Sequence, residues 1–322
     1  MHNLLTKTIP TLLLNDERQK IFSDCYVKIG LERPYLLHSM MALSALHLFA
    51  QDPSRKKLVS TASAHQGAAL REAQPVISRM TEDDSIGIFA FSGFTALYTL
   101  ADLTLHASGG EKARDLIEDM LSFFHLSRGI KTVIAPFYPF LSTSWAAPTL
   151  KYSDDRHLIY PTIDRDYGLP RRVVRDVIEM ETQQENRRAC NLANDRLFEY
   201  IAVLAIHRQE DDGVRLIQTW PVEIEKECLD MLAARRPVAL IILAHYAVLM
   251  GMRPGVWWMS GLPRTLLHCI ESMLGAMWSD ALAWPREMII NRTVNSEDKT
   301  RLRRSKGGIV DQEVSTRVAP TD

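Results

Sequence analysis

Apolar side chains recur along most of this chain at three- and four-residue intervals, the spacing that gathers them on one face of an α-helix. Leu36, Leu37, Met40, Met41 and Leu48 follow that rule, and Leu43, Leu46 and Phe49 between them make the segment apolar nearly all round. A helix of that kind is central in a bundle. Helix-start residues precede several such runs. Asn15 stands before an acid-led run, and Pro34 takes a first-turn position where its missing N–H costs nothing. Asp52-Pro53 repeats that arrangement, and Thr81 precedes Glu82, Asp83 and Asp84. Ser108 and Glu111 have capping-box spacing ahead of the run 113–134. Further helices are predicted over 186–209, over 212–234 with a break at Trp220-Pro221, over 237–251 and over 256–278. No run alternates apolar and polar positions with β-branched side chains, so the pattern predicts an all-α, irregular multi-helix bundle.

Residues 135–184 differ. Pro136, Pro139, Pro148, Pro161 and Pro170 punctuate them, with aromatic residues between. That composition predicts a long Pro-rich crossover between two helical halves, with one short helix near 171–180. After Trp284-Pro285 the chain turns polar, charged and aperiodic. The predicted organisation is a lead-in and first helix over 1–33, a helical domain over 34–286 and a disordered tail over 287–322.

Composition narrows the function classes. With 322 residues, 46% of them hydrophobic, the chain can bury the core of one large domain or two small ones. A net charge of -1 gives no overall pull toward nucleic acid, so DNA contact would need a local basic patch. The tail holds such a cluster: Lys299, Arg301, Arg303, Arg304 and Lys306. It reads as a nuclear-import or phosphate-contact patch, set against an ordinary solvated charge run. The cysteines, Cys25, Cys190, Cys228 and Cys269, form no C-x-x-C pair. The longest apolar stretch, 237–252, falls short of the roughly 20 residues that cross a bilayer and contains His245, so it predicts a core helix and no membrane span.

Catalytic signatures are missing from the sequence: no G-x-S-x-G, no H-E-x-x-H, no Walker loop and no dinucleotide fingerprint. The acid pairs Asp83-Asp84, Asp154-Asp155 and Asp211-Asp212 lack a third carboxylate at helical spacing. Asn191, Asp195 and Glu199 share a helix face at i, i+4 and i+8, only loosely the pattern of a Mg²⁺-diphosphate site; these acids read as a solvated helix face instead. His38, His47, His65, His125 and His245 show no ligand spacing and read as packing histidines. No catalytic residue, metal or cofactor is expected. From its apolar and aromatic content the candidate ligand pocket comprises Trp257, Trp258, Met259 and Leu262, with Phe94 and Tyr98.

Several segments, in order, resemble one family. PYLLHSMMALSALHLFA (34–50) is similar to an early helix with a His-Ser pair leading into A-L-S-A-L-H-L, and Ala64-His65-Gln66 with Ala68-Ala69-Leu70 is similar to an A-x-x-H-x-x-A-L helix. FFHLSRGIKTVI (123–134), RPVALIILAHYAVLM (236–250), WWMSGLPRTLL (257–267) and Trp284-Pro285 continue the series. Together they resemble the C-terminal regulatory domain of fungal zinc-cluster (Zn2Cys6) transcription factors, in the branch of the sterol-uptake regulators. The resemblance implies an all-α domain, gene regulation in the nucleus with shuttling to the cytoplasm, and a pocket for a sterol or similar lipid. It also implies pairing as a homodimer or with a full-length factor. These 322 residues lack the family's six-cysteine zinc cluster, so no direct DNA binding is expected of them. A second reading is the same fold recruited as a biosynthetic enzyme or helper for a hydrophobic terpenoid or polyketide substrate. The two differ in their pocket: an enzyme places groups such as His38, His65, Asp102 or His106 inside it, whereas a sensor pocket is apolar with one polar anchor.

Overall fold

A computed structural model describes residues 1–12, 16–108, 115–150, 163–206, 212–253 and 255–291. Among them there is no strand, and the all-α expectation holds. In the first half, α1 (Asp16–Lys20) passes through a π-helical turn into α2 (Val27–Glu32), followed by α3 (Pro34–Gln51), α4 (Lys57–Ile77), α5 (Glu82–Ser108) and α6 (Leu116–Ile134). Pro34 opens α3, as its fixed φ and missing N–H favour. At α5 the acid-led start also holds, since Asp84 Oδ2 accepts from both the Thr81 amide (3.2 Å) and its hydroxyl (2.8 Å). Asp52 instead closes a local turn on Ser54, and α4 begins four residues beyond Pro53. The caps expected at Asn15 and at Ser108 with Glu111 lie outside the described side chains. The N-cap of α6 is Asp115, whose Oδ1 accepts from the amides of Ile117 (3.2 Å) and Glu118 (3.3 Å).

The crossover is more helical than its prolines suggested. Pro136 and Pro148 sit in the first turns of 3-10 segments, and Pro139 in that of α7 (Tyr138–Thr143). Proline breaks a helix in its interior, but at a first turn no hydrogen bond is lost. The short helix expected near 171–180 is α8 (Gly168–Ile178), which buries Pro170, Val174, Val177 and Ile178 on one face.

The second half holds α9 (Gln184–Ile206), α10 (Asp212–Glu223), α11 (Lys226–Ala233), α12 (Pro237–Gly251), α13 (Leu262–Leu274) and α14 (Ala283–Arg286). Every residue of α12 from Val238 to Met250 is buried, so this helix is the axis of the bundle, with α8, α9, α11, α13 and α14 around it. The break expected at Trp220-Pro221 is absent: α10 runs through Pro221. A proline there cannot donate to the carbonyl of Ile217, four residues back. The Tyr246 hydroxyl of α12 donates to that oxygen instead (2.7 Å), and its ring stacks on Trp220 at 4.6 Å. The run 256–278 is likewise not one helix. Its first turn, Trp257–Met259, is 3-10, and Gly261, at φ 82°, turns the chain into α13.

α5 is long and apolar enough to cross a membrane, with 67% of its most apolar 18-residue window buried inside the bundle. Past residue 286 a helical turn, Glu287–Asn291, buries Ile289 against the core. The rest of the tail, including Lys299, Arg301, Arg303, Arg304 and Lys306, lies outside the described residues.

Candidate functional site

The turn Trp257–Met259 between α12 and α13 brings four of the six candidate pocket residues together. Trp258, Met259 and Leu262 are buried, and Trp257 is half-buried. The Thr104 hydroxyl of α5 donates to the Trp258 carbonyl (2.9 Å) and anchors the turn. The Trp257 ring stacks on His47 of α3 at 4.6 Å and 15°, and its Nε1–H donates to Thr11 Oγ1 (3.0 Å). His47 also meets Thr8 Oγ1 through Nδ1 (3.0 Å) and the Gln51 amide through Nε2 (3.1 Å). Asn3 Nδ2 donates to Ser44 Oγ (3.0 Å) and Thr8 Oγ1 (3.2 Å). The first twelve residues are thereby strapped over α3 and the turn, with Leu4, Ile9 and Leu12 buried beneath. Burial, then the charge of Lys7, holds the His47 imidazole below its usual range.

Phe94 stands apart from this group. Ten residues of α5 separate Phe94 from Thr104, about 15 Å along the axis. Phe94 packs at 5.5 Å on Phe22, which joins it to Tyr26 and Trp145 in a separate aromatic cluster. One polar atom sits in the Trp258 region with nothing to bond: Trp258 Nε1, buried without an acceptor. Two clefts open on the described surface. One, about 690 Å³, lies between Leu5, Ile9 and Pro10 and the start of α1; the other, about 290 Å³, lies between Glu271, Gly275 and Arg286. Neither is lined by the six candidate residues.

The ionisable groups pair with one another. His38 of α3 meets His65 of α4, Nδ1 to Nδ1, at 2.8 Å. His106 Nδ1 donates to the carbonyl of Asp102 within α5 (2.7 Å). Asp195, the centre of the Asn191–Asp195–Glu199 face, is held by Arg171 (3.1 Å) and Arg175 (2.9 Å) of α8, and Glu199 by Arg196 (2.7 Å). Such a carboxylate is already neutralised, which removes its reason to take a cation. Asp84 is engaged by Arg33 (2.9 Å) as well as Thr81, whereas Asp154-Asp155 and the Asp211-Asp212 side chains lie outside the described residues. Among the described residues no three His, Cys, Asp or Glu side chains gather as a metal site.

His245 is the most perturbed histidine. Its Nδ1–H donates to the Ile241 carbonyl one turn back (2.8 Å), its ring stacks on Trp284 at 5.5 Å, and Nε2 is buried without a partner. Burial pushes its pKa down to about 4, against the smaller opposing effect of the Ile241 hydrogen bond. Its neighbours are aromatic, so it acts as a packing histidine. The motif residue Arg128 of α6 donates to the Ile224 carbonyl beyond the end of α10. Sequence reasoning missed that contact, because nothing near Arg128 in the chain marks its partner.

Residues 4–130 match the fungal specific transcription factor domain. The chain is 24% identical over 300 residues to a Zn(2)-C6 fungal-type transcription factor of Gibberella zeae, covering 88% of this chain and 60% of that protein. It is 20% identical over 282 residues to Sterol uptake control protein 2 of Saccharomyces cerevisiae (85% of this chain, 30% of that protein). Over 279 residues it is 21% identical to the protein of the same name from Candida albicans (77% and 36%). The chain thus spans from under a third to three fifths of these relatives' lengths. These similarities bear out the resemblance drawn from residues 34–285 and support a fungal transcription factor regulatory domain.

Proposed function

We propose that this chain, similar to fungal transcription factor regulatory domains, regulates gene expression in the nucleus as the sensing and partner-binding part of a Zn2Cys6-type regulator. The observation that carries this is the reach of the similarity. Three fungal relatives, two of them named for control of sterol uptake, align over 77–88% of the chain, across the whole helical bundle. The ligand of this reading is a sterol or similar lipid taken up beside the Trp257–Met259 turn. Trp258 Nε1, an unpaired donor among apolar side chains, fits the single polar anchor that a hydroxyl-bearing lipid requires. Binding there requires the strap of residues 1–12 to move, since the candidate residues are packed in the present arrangement. The groups that an enzyme would need in a pocket are paired elsewhere, His38 with His65 and Asp102 with His106.

Two measurements test the proposal. Fused to an unrelated DNA-binding module, the chain should change reporter transcription, and that output should respond to sterol supply. In vitro, a fluorescent sterol should bind the purified chain and lose affinity in Trp258→Phe, which keeps the ring and removes the donor. A fusion without effect on the reporter overturns the regulatory reading. Equal sterol affinity in both proteins overturns the anchor.

A further inference from the structure

α4, a helix of 21 residues, buries only small side chains and one glutamine fully, with Val76 and Ile77 half-buried against the core. The residues it buries are Ala62, Gln66, Ala69 and Ala73. Three methyl groups remove little apolar surface from water, so close backbone approach and polar contacts must do what large side chains do elsewhere. α4 lies along α3 and reaches α5 through Gln66 Nε2, which donates to Thr95 Oγ1 at 3.3 Å. A short polar contact between α3 and α4 is the pair His38–His65.

The geometry of that pair sets how many protons it holds. The nitrogens are 2.8 Å apart and the ring centroids 5.0 Å. Each imidazole nitrogen lies about 1.1 Å from its ring centre by standard ring geometry, so the two nitrogens sit nearly on the line joining the rings. One N–H between them makes a straight hydrogen bond. When His38 alone is charged, its Nδ1–H still finds the His65 lone pair, and its Nε2–H faces Glu72 Oε1, 4.0 Å away. When both are charged, two N–H groups point at each other and the acceptor is gone.

We propose that the His38–His65 pair is an acid-sensitive clasp, holding α4 on α3 while at most one ring is charged and releasing it when both are. The charges around the pair leave this asymmetry in place. Glu72 of α4 places Oε1 4.0 Å from His38 Nε2, and Arg71 stands next to it in sequence. Met41 of α3, one turn from His38, lies 3.6 Å from the Met1 ammonium through its Sδ. α5 contributes the neutral Thr95 through Gln66, and α2 approaches α3 through Gly30 against the backbone of Leu37 and the Met40 side chain. His65 titrates below its usual range, through burial first and His38 second, which makes it the ring that takes the second proton. The clasp lies inside the matched family domain but is independent of any transcriptional role.

Hydrogen exchange of the whole chain tests it, read over residues 57–77 at pH 7 and pH 5 and corrected for the intrinsic rate. Protection of α4 should fall at least tenfold on acidification while α12 stays protected, and the fall should vanish in His65→Gln, whose amide accepts from His38 but takes no proton. An equal fall in both proteins, or none in the wild type, overturns the proposal. Imidazole NMR of the wild type is a second readout, valid even if the variant folds poorly. His65 is expected to titrate below the usual histidine range; a His65 ring titrating at an ordinary value would refute the shared proton.

Discussion

Replacing His245 with phenylalanine should flatten the pH dependence of stability. In the folded bundle this imidazole binds a proton only near pH 4, because it is buried against Phe198 and Trp284. In the unfolded chain it binds one near 6.5. The folded pKa of this base is depressed, so the unfolded state holds more protons between these values, and stability falls as pH falls. Between pH 7 and pH 5 that difference removes about 2 kcal/mol, and about 3 kcal/mol by pH 4. His47 and His65 act in the same direction, so the wild-type slope alone does not isolate His245. The His245→Phe variant does. Phenylalanine keeps a ring on Trp284 and removes the orphaned Nε2, so stability at pH 7 should change by less than about 1.5 kcal/mol. Urea denaturation of both proteins at pH 7, 6 and 5 measures the slopes. The carboxylates held low, such as Asp115 and Glu181, lose their contribution below this window. The wild type should lose about 2 kcal/mol more than the variant from pH 7 to 5. Parallel slopes would mean that His245 is solvated or charged in the fold, and the reasoning would fail.

Three further outcomes are expected. Gly87→Ala places a Cβ 2.5 Å from the hydroxyl of buried Tyr35 and should cost about 1–3 kcal/mol in thermal or urea unfolding, with most of the loss recovered in a Tyr35→Phe background. Tyr246→Phe leaves the Ile217 carbonyl without a donor and should cost about 1–3 kcal/mol; the cost should shrink once Pro221→Ala restores an amide at that turn, which a double-mutant cycle will read directly. Millimolar Mg²⁺ should leave the melting temperature unchanged, because Arg171 and Arg175 occupy the Asp195 carboxylate, and a rise abolished by Asp195→Asn would contradict that assignment.

What could be read from the chain was what local periodicity encodes. α12 is apolar at nearly every position, His245 and the Tyr246 hydroxyl excepted, so it reads as a buried helix, and the structure places it at the axis. α3, read as central, is buried over much of its surface but keeps Leu37, His38 and Met41 only half-buried. Pro34 and Thr81 marked helix starts correctly because caps act within four residues. The errors came where a distant residue decides. The Asp195–Glu199 face read as simply solvated, but α8 supplies two arginines to Asp195 from about 20 positions away. Pro221 read as a break because its missing bond is supplied by Tyr246, and His38 and His65 showed no ligand spacing because 27 residues lie between them. Of the proposed pocket, the Trp257–Leu262 group was visible as adjacent apolar residues. The separation of Phe94 from it depends on how α5 lies in the bundle, which spacing does not record.

The hydroxyl that α12 lends to α10 makes two distant positions a single heritable unit. Among descendants of this chain, a proline at 221 can persist only while a donor stands at 246, whereas the tyrosine can precede the proline without harm. Gains should therefore occur in the order hydroxyl first, proline second, and losses in the reverse order. A lineage carrying Pro221 with phenylalanine at 246 should be found only where another donor has reached the Ile217 oxygen.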